Sequence, residues 1–152
     1  MFLAIPALAA LPAKEDAEWC DIWIWNPDKR DHPHVLLIGD SITKGYSLDL
    51  GKKLAGKAYV SWLVTSRFVG DPLLSREFAL VLDHAKFDII HFNNGLHGLQ
   101  YDEQEYSRFY PKCVMEIRKH APGAKLVLAT TTPVRQSGKL EQFDARTERV
   151  KA

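Results

Sequence analysis

Residues 34–46 read HVLLIGDSITKGY, and this stretch constrains the rest of the chain more than any other. Residues 35–38 are an unbroken apolar run held between Pro33 and Gly39. So short a run of leucine and β-branched residues reads as a strand buried on both faces, the habit of parallel sheets. Gly39, Asp40 and Ser41 end the run, and Ile42, Tyr46, Leu50 and Leu54 then recur at helical intervals. Ser41 thus stands where a buried strand turns into a helix. In open α/β sheets, ligands bind beyond the carboxyl ends of the strands. A helix start also presents unpaired N–H groups that favour negative charge. The position suits a nucleophile whose product is an oxyanion. It equally suits a simple helix cap, by Ser41 or by Asp40.

The alternation of strand and helix continues along the chain. Residues 57–64 read as a second strand, and 72–84 as a helix opened by Pro72. Residues 87–92 read as a third strand, 102–120 as a helix bent at Pro111, and 125–130 as a fourth strand. A last helical pattern begins at 139 and runs to 152. Such alternation predicts an α/β protein with a parallel sheet and helices on both faces. Right-handed crossovers would bring the loops at 39–41, 64–70, 93–98 and 130–134 to one rim. No glycine-rich phosphate loop or dinucleotide fingerprint is present, which weakens a nucleotide- or flavin-binding reading of the same architecture.

At 152 residues the chain has room for one domain with one core. The net charge of +1 makes no electrostatic case for nucleic acid. Cys20 and Cys113 constitute neither a disulfide framework nor a zinc site; they could form one bridge in an oxidising compartment, but two free buried thiols are expected. The apolar start of the chain is too short to span a bilayer. It resembles the later part of a secretory signal, or else forms an arm packed on the domain. Residues 1–17 are therefore set apart from a domain at 18–152. A secreted or periplasmic location follows if the segment is a signal, and a cytoplasmic one otherwise. Trp19, Trp23 and Trp25 crowd into one short stretch, either as a sugar-stacking surface or, the commoner arrangement, as cover for a core edge.

GDSI directly after a buried strand resembles the first block of the SGNH (GDSL-type) hydrolases. The resemblance implies a flavodoxin-like three-layer α/β/α sandwich with a parallel sheet. Four of its strands are expected here, and the fifth beyond Ala152. It also implies ester cleavage through a serine, with neither metal nor cofactor. Ser41 is then the nucleophile, and its own N–H an oxyanion donor. The family's third block, Gly-x-Asn-Asp, falls on His91-Phe92-Asn93-Asn94, which makes Asn93 the side-chain donor although the glycine and aspartate are absent. FNNGLHG, and ATTTP after the fourth strand, resemble a variant branch of the same family. The family's second-strand backbone donor maps near Val64 or Thr65, with Gly70 a few residues on. Asp40, Arg67, Gly70, Asn94 and His97 complete the expected rim. Arg67 is read as a substrate-positioning residue or a solvated loop arginine.

The general base is the gap in the resemblance. The family places an Asp-x-x-His near its C-terminus, whereas residues 144–147 read Asp-Ala-Arg-Thr. The string Asp31-His32-Pro33-His34 precedes the first strand, on the order of 20 Å from Ser41 for an extended strand. A base must lie within hydrogen-bond reach, so this string is set aside. His97 is next in line, although a substrate-loop or structural role suits it better under the resemblance. The chain is accordingly read as most of an SGNH-type domain whose base lies beyond Ala152. The expected substrates are acyl esters, acetyl esters of carbohydrates first and lipid or thioesters second. The alternative is a noncatalytic sugar- or acyl-binding domain, or an inactive fragment. No nucleic-acid partner and no membrane span are expected.

Overall fold

The computed structural model describes residues 14–98 and 101–131; the helix expected over 139–152 lies outside the described residues. The strands are β1 (Cys20–Trp23), β2 (His34–Gly39), β3 (Tyr59–Thr65), β4 (Ile89–Phe92) and β5 (Lys125–Leu128). The helices are α1 (Ser41–Lys53), α2 (Pro72–His84) and α3 (Glu103–His120). One five-stranded sheet runs in the order β1-β3-β2-β4-β5.

The four strands expected from the sequence pair in parallel, β3 with β2, β2 with β4 and β4 with β5. β1 adds itself antiparallel to the β3 edge, with Cys20 opposite Thr65 and Trp23 opposite Trp62. The sheet is therefore mixed, which corrects the expectation of an all-parallel one. The reason is the short link between β1 and β2. It can return the chain only to the same end of the sheet, whereas a parallel strand would need a full crossover.

Both faces of the sheet are covered. Leu36, Ile38, Leu63, Ile90 and Phe92 pack with Leu74, Phe78, Val81 and Leu82 of α2 and with Tyr106, Cys113 and Ile117 of α3. On the other face Val35, Leu37, Val60, Trp62 and Val64 meet Tyr46 and Leu50 of α1. The residues of α1 that lie deepest are small and polar, Thr43 and Ser47, not the apolar stripe read from the sequence. They let the helix approach β2 closely. A Cβ added to Gly39 would sit 2.0 Å from the Thr43 hydroxyl oxygen.

Helix ends follow ordinary chemistry. Asp71 caps α2 ahead of Pro72, and Asp102 caps α3. Arg118, Lys119 and His120 fill the last turn of α3, where positive charge complements the helix dipole. Among the described residues β5 forms the sheet edge opposite β1, and its Val127 and Leu128 are exposed. Cys113 is buried, but Cys20 is exposed, against the expectation for it. No helix among the described residues is long and apolar enough to cross a membrane.

Candidate active site at the carboxyl rim of the sheet

β2 ends at Gly39, and the next two residues divide the work of starting α1. Asp40 is the N-cap and is completely buried. Its Oδ1 accepts the Ile42 N–H at 2.9 Å, and its Oδ2 accepts the Leu96 N–H at 3.3 Å. Of the two caps the sequence allowed, the structure uses Asp40. Ser41 is left as the first helical residue, with an exposed side chain. Its hydroxyl is not needed for capping and lies at the positive end of the helix.

The loop after β4 packs directly against this turn. The Asn93 N–H donates to the Ile38 carbonyl at 2.9 Å. A Cβ on Gly39 would meet the Asn93 carbonyl oxygen at 3.0 Å, so glycine is what permits the approach. The Asn93 amide nitrogen donates to the Thr130 carbonyl at 2.8 Å, with Ala129 at 3.5 Å. The amide is thus tied to the chain that leaves β5. Asn94 turns the opposite way. Its amide donates to the Arg67 carbonyl, while its own carbonyl accepts from the Tyr106 hydroxyl at 2.6 Å and the Thr131 hydroxyl at 2.9 Å. Gly95 follows with φ 151, and a Cβ there would sit 2.0 Å from the Thr131 hydroxyl oxygen.

His97 faces an acid that the sequence did not single out. Its Nδ1 lies 2.8 Å from one carboxylate oxygen of Glu15, and the other accepts the Gly98 N–H at 3.0 Å. Against an ionised carboxylate, which only accepts, Nδ1 would be the donor, and a neutral ring would then hold its lone pair on Nε2. The ring stands edge-on to Trp19, with centroids 5.9 Å apart.

Arg67 is neither solvated nor solitary. Its guanidinium pairs with Glu18 at 3.1 Å, Asp71 at 3.3 Å and Glu77 at 2.6 Å. Burial disfavours its charge, but the bonds and charges of Glu77 and Asp71 outweigh this and hold its pKa above the ordinary arginine value. Asp71 behaves alike. Burial opposes its ionisation, yet hydrogen bonds from Lys14 and the Leu73 N–H, with the charges of Lys14 and Arg67, keep its carboxyl below the usual range. With three carboxylates engaged, Arg67 ties the arm at residues 14–18 to the start of α2.

Two other sequence candidates sit deeper than the rim. Val64 is fully buried inside the ladder, opposite Gly39 on one side and Asp21 on the other. Gly70 packs against Phe68 and Phe109. The Asp31–His34 string lies at the amino end of the sheet, where His34 bonds the Lys29 carbonyl and Asp31 accepts from Tyr59. Lys14, Glu15 and Glu18 are not legible as rim residues in the sequence because they precede the first strand of the expected fold, and Trp19 reads there only as a sugar-stacking or core-edge residue. Their one sequence signal is a charged stretch directly before the tryptophans. The antiparallel direction of β1 brings them to this rim, since Cys20 pairs with Thr65.

The loops after the strands thus carry a serine hydroxyl at a helix start, an asparagine amide tied to the carbonyls after β5, and an imidazole held by a carboxylate. No known family model matches the sequence, and no curated protein matches it. Among solved structures the chain is similar to a family two carbohydrate esterase from Clostridium thermocellum, solved in complex with cellohexaose. The TM-score is 0.54 at 14% identity, over 82% of this chain and 50% of that one. That likeness is one of fold, and the chain spans half the length of that protein.

Proposed function

We propose that the protein is a serine ester hydrolase of SGNH type that removes acyl groups, acetyl first among them, from carbohydrates. The observation that carries the reading is the division of labour at the α1 start. Asp40 takes the cap and binds the Leu96 N–H, so Ser41 is held at the helix mouth with its hydroxyl uncommitted to capping. The order of the parallel strands, second-first-third-fourth in chain order, supports a flavodoxin-like sheet. Similarity of fold to a carbohydrate esterase supports the reaction class at a coarse level.

In this reading the Ser41 hydroxyl oxygen attacks the ester carbonyl. The negative charge that develops is met by the Ser41 N–H and by the Asn93 amide. We assign the base to His97, whose ring Glu15 fixes through Nδ1; the role requires Nε2 to come within reach of the serine hydroxyl and take its proton. The same proton passes to the departing sugar hydroxyl, leaving an acyl-serine. Water then attacks the acyl-serine carbonyl, giving a proton to His97, which passes it to the departing Ser41 oxygen as the acid is released.

The test is hydrolysis of an aryl acetate and of acetylated oligosaccharides, with labelling by a serine-directed phosphonate. Ser41→Ala should abolish turnover and labelling with unchanged circular dichroism. His97→Gln should lower kcat by about 10²–10⁴, the usual share of general acid–base catalysis. Activity that survives Ser41→Ala, or a label on another residue, overturns the assignment.

A further inference from the structure

A second feature lies at the other end of the sheet. β3 begins at Tyr59 and reaches the level of Gly39 only at Val64, about 15 Å further along the strand. Beside that beginning is a cleft of about 320 Å³ between α1, β3 and the turn after β1, lined among others by Trp25, Trp62, Tyr59, Leu48, Asn26 and Lys52. The size falls within the ordinary range of small-ligand sites.

Trp25 lines the cleft and Trp23 stands beside it; Trp23 covers the core edge at Trp62 in part, as expected, but neither indole is itself buried. Trp23 and Trp25 alternate along the chain with Ile22 and Ile24, which pack into the opposite core. The two indoles therefore share a face of the edge strand and stack, with centroids 5.7 Å apart and planes 19° from parallel. Trp23 also sits over Trp62, at 6.1 Å. Yet Trp23 and Trp25 remain 51% and 45% exposed. A stacked indole pair open to water is an apolar surface left without its partner. The second, independent observation is Trp62 itself. It is only 6% exposed, and its indole nitrogen is buried without a hydrogen-bond partner among the described residues. A buried N–H without an acceptor is uncommon and costly. Trp23 differs in this respect, for its indole nitrogen donates to Asp21 at 2.8 Å.

We infer that this cleft is a carbohydrate-binding site separate from Ser41, which takes a pyranose chain with equatorial hydroxyls. Such a ring has an apolar C–H face for the indoles and a hydroxyl edge for polar groups, the match an amphipathic aromatic surface calls for. The edge would meet Asn26 and Lys52 at the mouth of the cleft, and a hydroxyl oxygen or its water would supply the acceptor that Trp62 lacks. A wholly apolar ligand would leave Trp62 unsatisfied. The site would tether the protein to a polysaccharide while the rim acts on its ester groups, but binding itself requires nothing of Ser41.

The experiment is titration of the protein with cellohexaose and xylohexaose, followed by calorimetry and tryptophan fluorescence. The same titration is run on Ser41→Ala, Trp25→Ala and the Trp23→Ala/Trp25→Ala pair. Wild type and Ser41→Ala should bind alike, and the pair should bind about thirtyfold more weakly, the scale of a lost aromatic hot spot. Aryl acetate hydrolysis by the pair should be unchanged, and its melting curve shows whether it has folded. Trp25→Phe, which keeps a ring, should recover part of the affinity. Equal binding by the folded pair overturns the inference, as does loss of binding in Ser41→Ala. So does failure of the wild type to bind either saccharide, and so does concentration-dependent dimerisation that the pair abolishes, which would assign the face to a second copy. An enzyme inactive at Ser41 that still binds through the tryptophans would refute only the catalytic reading.

Discussion

Asp40 is the residue whose loss should tell most about how the rim is built. Its carboxylate serves two backbone donors on different elements, Ile42 at 2.9 Å and Leu96 at 3.3 Å, from a fully buried position. Asp40→Ala removes the cap, which costs about 0.5–2 kcal/mol. It also strips the Leu96 N–H of a charged acceptor, worth about 1.5–3 kcal/mol. Together these amount to roughly 2–5 kcal/mol, with a fall in Tm of roughly 5–15 °C for a chain of this size. Asp40→Asn separates the two parts. Its oxygen can keep the Ile42 bond, but its NH₂ would face the Leu96 N–H, donor against donor. Asn should therefore retain the cap and forfeit the bridge, landing about midway between wild type and Ala. Urea unfolding at constant m-value, with amide exchange at Leu96 as the local probe, measures both. If Asp40→Ala lies within ~0.5 kcal/mol of wild type, the range of an indifferent surface change, Asp40 holds nothing together. If Asn equals wild type with Leu96 still protected, the bridge between α1 and the loop after β4 does not exist.

Other expectations follow from the same geometry. Gly95→Ala should cost at least ~2 kcal/mol in denaturant unfolding, because φ 151 strains any side chain and Thr131 occupies its space. Gly45→Ala, with open space around it inside α1, should instead gain about 0.5–1 kcal/mol, and equal effects at the two sites would refute the packing argument. Burial holds the His91 imidazole below its ordinary 6.5, so the unfolded chain takes up this proton first. Stability from this group is therefore present above pH ~6.5 and falls as the pH drops through it, levelling off below the folded value. His91→Gln should lose less stability than wild type between pH 7.5 and 5.5, and parallel curves would refute this. The Cys113 thiol is buried and pushed up to about 12 by that burial and then by Glu116, while Cys20 is pushed up to about 11 by desolvation and the Glu77 carboxylate. A thiol reagent should therefore modify only Cys20 in the native protein, about tenfold faster per pH unit, and reach Cys113 only in denaturant. Native labelling of both thiols at one rate would refute this.

Local chemistry made the parallel core readable without coordinates. Apolar runs bounded by Gly39, Pro33 and Pro72 marked β2, β3, β4, β5 and α2 because period and punctuation are properties of neighbouring residues. Ser41 could be placed at the end of a buried strand for the same reason. Between Ser41 and Asp40 as the cap the sequence could not choose, since both residue types cap helices well. The choice depended on Leu96, a donor 56 positions away that only a carboxylate reaching two ways could satisfy.

What the sequence by itself determined is the succession of elements, and with it the strand ends after which Ser41 and Asn93 stand. Tertiary structure alone decided the rest, wherever a residue's role depended on a partner far along the chain. Glu15 became a partner of His97 across 82 positions, and Arg67 a clamp on Glu18 across 49. β1 became antiparallel because its short return link has no room for a crossover. Its tryptophans lay beside a cleft rather than inside the core because its other face had already been filled by Ile22 and Ile24. Periodicity tells which face of an element is apolar; only packing tells which apolar face is left for something else to cover.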